Sequence, residues 1–314
     1  MSRALEGRHE PGPSPWWNES WYLDFAQPDG TGGYVRIGLY PNQRRAWCWA
    51  YLVLPDRPGP VVVRAHDVPL PPPDPHAVLA RGDGVWCELT CETPMEHWGI
   101  GLEAFGVALD DPADAYRGEI GERIAVGLDL EWEARFPAFH YPYPPEYPSA
   151  HYQHAGRVHG EILLGADTIE FDGFGERDHS WGDRDWWVFG WNWGAWYFGP
   201  DLAVHTLLGE WNLFTEGCIW TPDAMTRVTA IDADVDLGAD GIPTHAHYVV
   251  NGGPASGGLE LDVEVLAAAP VPLDADDGRS ARFPRVLCRA TTHDGRVATG
   301  WAEWLQVRRP DDSA

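Results

Sequence analysis

The chain is poor in basic residues and cysteine, and it has no long apolar run. Only 22 lysines and arginines stand against 48 acids among 314 residues, a formal net charge of −26. So acidic a chain repels phosphate backbones and anionic lipid surfaces, which argues against nucleic acid or a membrane surface as partner. No stretch reaches the ~18 apolar residues of a spanning helix, so no transmembrane segment is expected. The opening Met1-Ser-Arg-Ala-Leu-Glu-Gly-Arg8 lacks the apolar centre of a secretory leader. Five cysteines (Cys48, Cys87, Cys91, Cys218, Cys288) are an odd number without a dense disulfide spacing. Free thiols in a reducing cytoplasm are the expectation. Cys87-Glu-Leu-Thr-Cys91 lacks the second pair of a zinc site. His245-Ala-His247 puts two imidazoles on one strand face but has no identifiable third ligand, so no metal is expected. No Gly-x-Ser-x-Gly elbow is present, and Gly30-Thr-Gly-Gly33 is too short for a phosphate loop.

Helical periodicity is scarce too. The chain holds 28 prolines and 35 glycines, which favours frequent turns over long helices. Short strand-like runs recur between turn signals, among them Tyr34–Tyr40, Ala46–Leu54, Gly84–Glu92, Gly99–Leu109, Gly156–Leu164 and Gly258–Ala268. Asp172-Gly173, Asn251-Gly-Gly253 and Asp294-Gly295 mark turns. Many short strands of this spacing predict an all-β protein of barrels or sandwiches. The length suits two domains. The Pro/Tyr-rich stretch Phe136–Pro148 cannot enter a central strand. It reads as an ordered linker, or as a cover over an open barrel end, and divides the chain into 1–148 and 149–314. His140, His151, His154 and His159 read as linker or surface residues.

Charge and tryptophan concentrate in Gly175-Glu-Arg-Asp-His-Ser-Trp-Gly-Asp-Arg-Asp-Trp-Trp187. A strand ending at Phe171 and another starting near Trp186 place this knot at a strand corner. His179 is its most chemical member, since an imidazole suits proton transfer near neutral pH. Asp178 is positioned in sequence to orient it, and Trp181, two residues on, shares its face in extended chain. Over Trp186–Phe198 the same alternation puts Trp187, Phe189, Trp191, Trp193 and Tyr197 on one face. Two other readings stand beside this one. The tryptophans could simply fill a barrel, and Arg177 or Arg184 could pair with Asp178 or Asp185 as a latch between domains.

Residues 175–186 resemble the signature of carotenoid 1,2-hydratase (hydroxyneurosporene synthase) and its AttH-like, lipocalin-like relatives. Asn18-Glu-Ser-Trp21 with Asp29-Gly30, Gly33, Arg36 and Pro41-Asn42 resembles the N-terminal domain of the uncharacterised bacterial branch. His151-Tyr-Gln-His-Ala-Gly-Arg157 with Gly160-Glu161 resembles the entry to its second domain. The resemblance implies two lipocalin-like (calycin-like) antiparallel β-barrels packed side by side, a hydrophobic ligand cavity and no organic cofactor. It implies acid-initiated hydration, isomerisation or cyclisation of a terpenoid or other lipophilic alkene. His179 and Trp181 carry over as catalytic candidates with Asp178 beside them. Arg177, Trp187, Trp191, Trp193 and Tyr197 fall to the substrate wall. The hydratases also use a tyrosine and an aspartate further on. Here Asp201–Glu210 contains no Tyr-x-Asp, leaving His205 or Glu210 to supply those polar groups. The expected partner is a lipophilic small molecule, bound by a monomer or homodimer. The alternatives are a carrier without catalysis and a structural pair without a pocket.

Overall fold

The structure, a computed structural model, describes residues 5–143, 149–252 and 258–309. Residues 144–148 of the expected linker lie outside the described residues. Among the described residues no helix is long and apolar enough to cross a membrane. All five cysteines are buried and unbridged.

Two antiparallel sheets follow one another along the chain. The first contains β1 (Trp17–Ala26), β2 (Gly32–Tyr40), β3 (Arg45–Val53), β4 (Val61–Pro69), β5 (Ala77–Gly82), β6 (Val85–Thr93), β7 (His97–Ala108), β8 (Glu122–Ala134), β9 (Phe139–His140), β10 (Ala150–Leu164) and β11 (Asp167–Asp183). Eight of these close into a ring in the order β4-β3-β2-β1-β11-β10-β8-β7, sealed by Val61↔Ala108 and Val62↔Val107. The second contains β12 (Trp191–Tyr197), β13 (Ala203–Gly209), β14 (Thr215–Trp220), β15 (Met225–Leu237), β16 (Pro243–Gly252), β17 (Leu259–Ala268), β18 (Val271–Asp274), β19 (Ser280–Phe283), β20 (Arg285–Thr292) and β21 (Val297–Arg308). Its ring closes where β12 pairs with β21, from Trp191↔Leu305 to Tyr197↔Thr299. The expected pair of lipocalin-like barrels is what the chain forms. The boundary expected at 148/149 falls between β9 and β10, both in the first sheet, and the two sheets hand over across residues 184–190.

The burial rhythm explains the packing. In β6 and β7 buried residues alternate with wetter ones, because one face meets the barrel interior and the other meets water. Every residue of β1 and β2 is buried. Trp21, Leu23 and Phe25 of β1 enter the first barrel's interior, while Tyr22 and Ala26 face the second barrel. A third core fills the second barrel around Trp196, Val204 and Tyr248. The core between the barrels is the most aromatic, with Tyr34, Trp49, Tyr51, Trp193, Trp220 and Trp301. Trp301 lies edge-on to Tyr34 at 5.3 Å, and its Nε1 donates to the Phe25 carbonyl at 3.0 Å, crossing from one barrel to the other. Trp301→Ala is expected to lose about 3–5 kcal/mol of stability. Urea unfolding followed by circular dichroism measures it, and a loss under about 1 kcal/mol would show that the seam does not bind the barrels together.

Candidate functional site

The charged knot is not at a corner. Residues 175–183 lie inside β11, between β1 and β10, so their side chains alternate between two environments, and only 184–187 fall in the crossing to β12. Arg177, His179 and Trp181 turn toward the first barrel's interior, where His179 lies opposite Trp21. Glu176, Asp178 and Ser180 turn toward the second barrel, where Asp178 lies opposite Tyr22. The shared face expected for His179 and Trp181 is present, with ring centroids 5.0 Å apart. The expected orientation of His179 by Asp178 is not, because adjacent strand residues point to opposite faces.

Glu19 of β1 takes that place. His179 Nε2 and Glu19 Oε1 are 3.0 Å apart, and His179 Nδ1 donates to the Leu5 carbonyl at 2.9 Å. His9 Nδ1 reaches the same Glu19 oxygen at 2.7 Å, and the His9 ring stacks on Trp181 at 3.6 Å. Burial pushes the fully enclosed His179 below its ordinary pKa despite Glu19. Burial alone would raise the Glu19 carboxyl, but hydrogen bonds from His179 and His9 hold it lower. Arg177, also fully enclosed, forks onto Glu6 at 2.9 and 3.0 Å and donates to the Tyr152 hydroxyl at 3.1 Å. These contacts thread the N-terminal segment into the first barrel.

His9, Glu19 and His179 are the one group of three potential metal ligands that converges among the described residues, all within 4.8 Å. Their N···O separations of 2.7 and 3.0 Å are hydrogen-bond distances. Two ligands on a tetrahedral zinc would stand about 3.4 Å apart. As arranged, the group shares protons.

On the opposite face Asp178 borders a cavity of ≈ 470 Å³ between the barrels. Trp49, Trp186, Trp191, Trp193 and Phe283 supply much of its wall, while the Trp181 ring lies on the other face against His9. Asp178 Oδ2 accepts a short hydrogen bond from His151 Nε2 and another from Gln153 Nε2 at 2.9 Å. Burial would raise the Asp178 carboxyl, but the charge and hydrogen bond of His151, with Arg184 and Arg36 beyond, hold it below the usual carboxylate range. Tyr141 stacks on His151 at 4.2 Å, and its hydroxyl shares a 2.6 Å hydrogen bond with His205 Nε2. The other ring nitrogen of His205 lies 3.3 Å from Glu176, which accepts from the Tyr197 hydroxyl at 3.2 Å. Behind the cavity wall, then, buried polar groups follow one another from Asp178 to Tyr197, with no hydrogen bond between His205 Nδ1 and Glu176 Oε1.

The protonation states in this chain are set by burial. His205 is pushed down to about 3, mainly by desolvation and then by His151. Desolvation, reinforced by Asp24 and Asp178, drives the Glu176 carboxyl well up. Asp24 is raised to about 7. His154, inside the first barrel, is likewise lowered to about 3, by burial and then by Arg177. A histidine kept neutral in the fold takes up a proton only on unfolding, so its contribution is present above its unfolded pKa and is lost as pH falls toward 3. His154→Gln should therefore flatten the fall of urea-unfolding stability between pH 6 and 3 by about 1.4 kcal/mol per pH unit. Asp24 runs the other way, since stability from its neutral form is lost as pH rises through about 7.

Of the residues expected from sequence, Asp178, Trp191 and Trp193 border the cavity. Arg177, His179 and the Trp181 ring face the first barrel's interior. Trp187 is buried in the seam, its Nε1 donating to the Leu273 carbonyl at 3.0 Å, with Arg279 over its ring at 5.1 Å. Tyr197 and His205 stand behind the wall. Glu210 accepts from the Gly190 amide at 2.9 Å and pairs with Arg309 at 2.8 Å. The expected pairing of Arg177 with Asp178 or Asp185 is replaced by Arg177–Glu6. Asp185 instead accepts two bonds from Arg279 Nη1, at 3.0 and 2.9 Å, and one from the Trp187 amide at 3.1 Å, which ties the crossing segment to the β18–β19 turn of the second sheet. His151, read from sequence as linker or surface, is a cavity residue on β10; Arg36 and Gln153 were noted only for the family resemblance, and none of Tyr141, Gln153 and Arg36 was expected at the site. The alternation His151-Tyr-Gln153 was the available signal, masked by the prolines just before it.

A family profile described as a domain of unknown function, DUF7064, matches residues 2–308. The chain belongs to the DUF7064 family. No curated protein matches this DUF7064 chain. Its fold is similar to that of a protein described as a candidate AttH from Nitrosomonas europaea, with TM-score 0.67 and 14% identity over 98% of this chain and 96% of that one. It is also similar to kievitone hydratase from Nectria haematococca (TM-score 0.56, 10% identity, 91% and 88% covered). A third similar structure is CghA (TM-score 0.53, 13% identity, 94% and 89% covered). At these identities the likeness is one of fold, and it places this DUF7064 chain in the AttH-like architecture inferred from residues 175–186.

Proposed function

We propose that this protein is a cofactor-independent hydratase or dehydratase, isomerase or cyclase. In this reading it acts by acid-initiated chemistry on an alkene of a lipophilic small molecule held between the two barrels. The observation that carries it is the His151–Asp178 pair set in an aromatic cavity wall. A histidine held by a carboxylate gives and takes protons near neutral pH, and indole faces favour an adjacent cationic centre by about 0.5–2 kcal/mol each. The proton-handling role expected of His179 passes to His151 in this reading, since His151 borders the cavity and His179 faces away. Tyr141 stacks on the His151 ring and is itself held from behind by His205, which supports the placing of the imidazole. The hydration named for kievitone hydratase is one such reaction on this fold.

The test is incubation with a panel of terpenoid and phenolic alkenes in ¹⁸O-labelled water. Mass spectrometry follows label incorporation or isomer formation, and tryptophan fluorescence follows binding. Turnover of a bound alkene, lost in His151→Gln, supports the reading. Tight binding without turnover across the panel would favour a carrier, and no binding at all would remove the cavity from consideration.

A further inference from the structure

The cavity wall carries a cation that forms no ion pair among the described residues. Arg36 of β2 is 3% exposed, and the nearest polar group to its guanidinium is the neutral Tyr40 hydroxyl, which leaves Nη1 and Nη2 without a carboxylate or a well-formed hydrogen bond. Its guanidinium lies between the rings of Trp49 and Trp186, at 4.7 and 5.2 Å from their centroids. It folds back over Gly38, where a Cβ would stand 2.3 Å from Nη1. Glycine at 38 therefore makes room for the cation. A second unsatisfied donor, Nδ2 of Asn18, borders the same cavity from the neighbouring strand and is equally enclosed. Arg184 adds another positive charge, 5.4 Å from the Trp186 ring.

The acids of the cavity form no ion pair with Arg36, and Asp178 acts on it only from beyond contact. Asp178 is paired with His151, Asp185 with Arg279, Glu216 with Arg227 and Glu303 with Arg285. Asp183 is exposed to water at the rim. A buried guanidinium without an anion beside it is strongly unfavourable, and its two parallel N–H donors match the two oxygens of a carboxylate.

We infer that the ligand is a lipophilic carboxylic acid whose carboxylate docks on Arg36, with Asn18 as a second donor, while its hydrocarbon part lies along the tryptophan wall. This rests on the reading of the cavity as a lipophilic site and adds a charged anchor to it.

Farnesoic acid and its methyl ester separate the two ideas, with binding read from tryptophan fluorescence. The wild type is expected to bind the acid at least about tenfold more tightly than the ester. Arg36→Met should abolish that preference while keeping ester affinity, and Arg36→Lys should keep part of it. Gly38→Ala leaves every charge in place and displaces only the guanidinium tip. It should weaken acid binding selectively and thus guards against a misfolded Arg36 variant. Equal binding of acid and ester by the wild type, or a preference unchanged in Arg36→Met and Gly38→Ala, overturns the anchor and leaves the lipophilic cavity standing. Binding of neither compound overturns both.

Discussion

Replacing His151 with Gln, or Asp178 with Asn, is expected to lower kcat/KM on an accepted alkene by roughly 10²–10⁴-fold. Ligand affinity should change far less. Gln keeps much of the volume of the imidazole and can still donate to Asp178, but it cannot transfer a proton. Asn keeps the shape of Asp178 but loses the negative charge that holds the His151 ring. The two act as one unit, so the double variant should be little worse than the poorer single one. Asp178 is ionised well below neutrality, because His151 and the two arginines outweigh its burial. Its loss should therefore remove activity across the neutral range and not merely shift one limb of a pH profile. A kcat/KM unchanged in both single variants, with their fold intact, would end the assignment.

Glu6→Ala is expected to cost about 3–5 kcal/mol, although Glu6 lies near the start of the chain, where truncations are usually tolerated. The reason is what it leaves behind. Arg177 is fully enclosed, with its guanidinium 4.9 Å from the Trp98 ring and 5.3 Å from the Trp132 ring. Without the Glu6 fork it would be a buried charge with only the Tyr152 hydroxyl as a close oxygen. Glu6 also accepts from the Met95 amide at 2.6 Å, so the same change frees the β6–β7 turn. Changing both residues to apolar ones of similar volume, Glu6→Leu with Arg177→Met, should recover much of the loss. Urea unfolding of the three proteins measures this. A Glu6→Ala cost below about 1 kcal/mol would show that water, and not Glu6, solvates Arg177.

The fold was legible where one face of a strand meets water. The alternation in β6 and β7, with the turns between strands, pointed directly to antiparallel barrels. The knot was legible as a place but not as an arrangement. Period-two reasoning put His179 and Trp181 together correctly. It could not say which face was the cavity, because β11 is buried on both sides and carries polar residues on both. The partners that decide the matter are remote in sequence, since Glu19 reaches His179 from 160 positions away. The prolines of 136–148 read as a linker because they interrupt a strand pattern. Yet the first ring needs β10 and β11 to close, and nothing local records that pairing. His151, directly after those prolines, was obscured by its neighbours.

The aromatic seam ties the fate of the two halves together. Separated at residues 184–190, one half would present Tyr34, Trp49 and Tyr51 to water, and the other Trp193, Trp220 and Trp301. Fragments of that kind are expected to aggregate before they can be purified. Nor can one half be exchanged freely with that of a distant relative, because each aromatic ridge is shaped to the opposing surface. Since the cavity is cut from that same contact, a change in its shape takes matched changes in both halves, which behave as one unit despite the two-barrel outline.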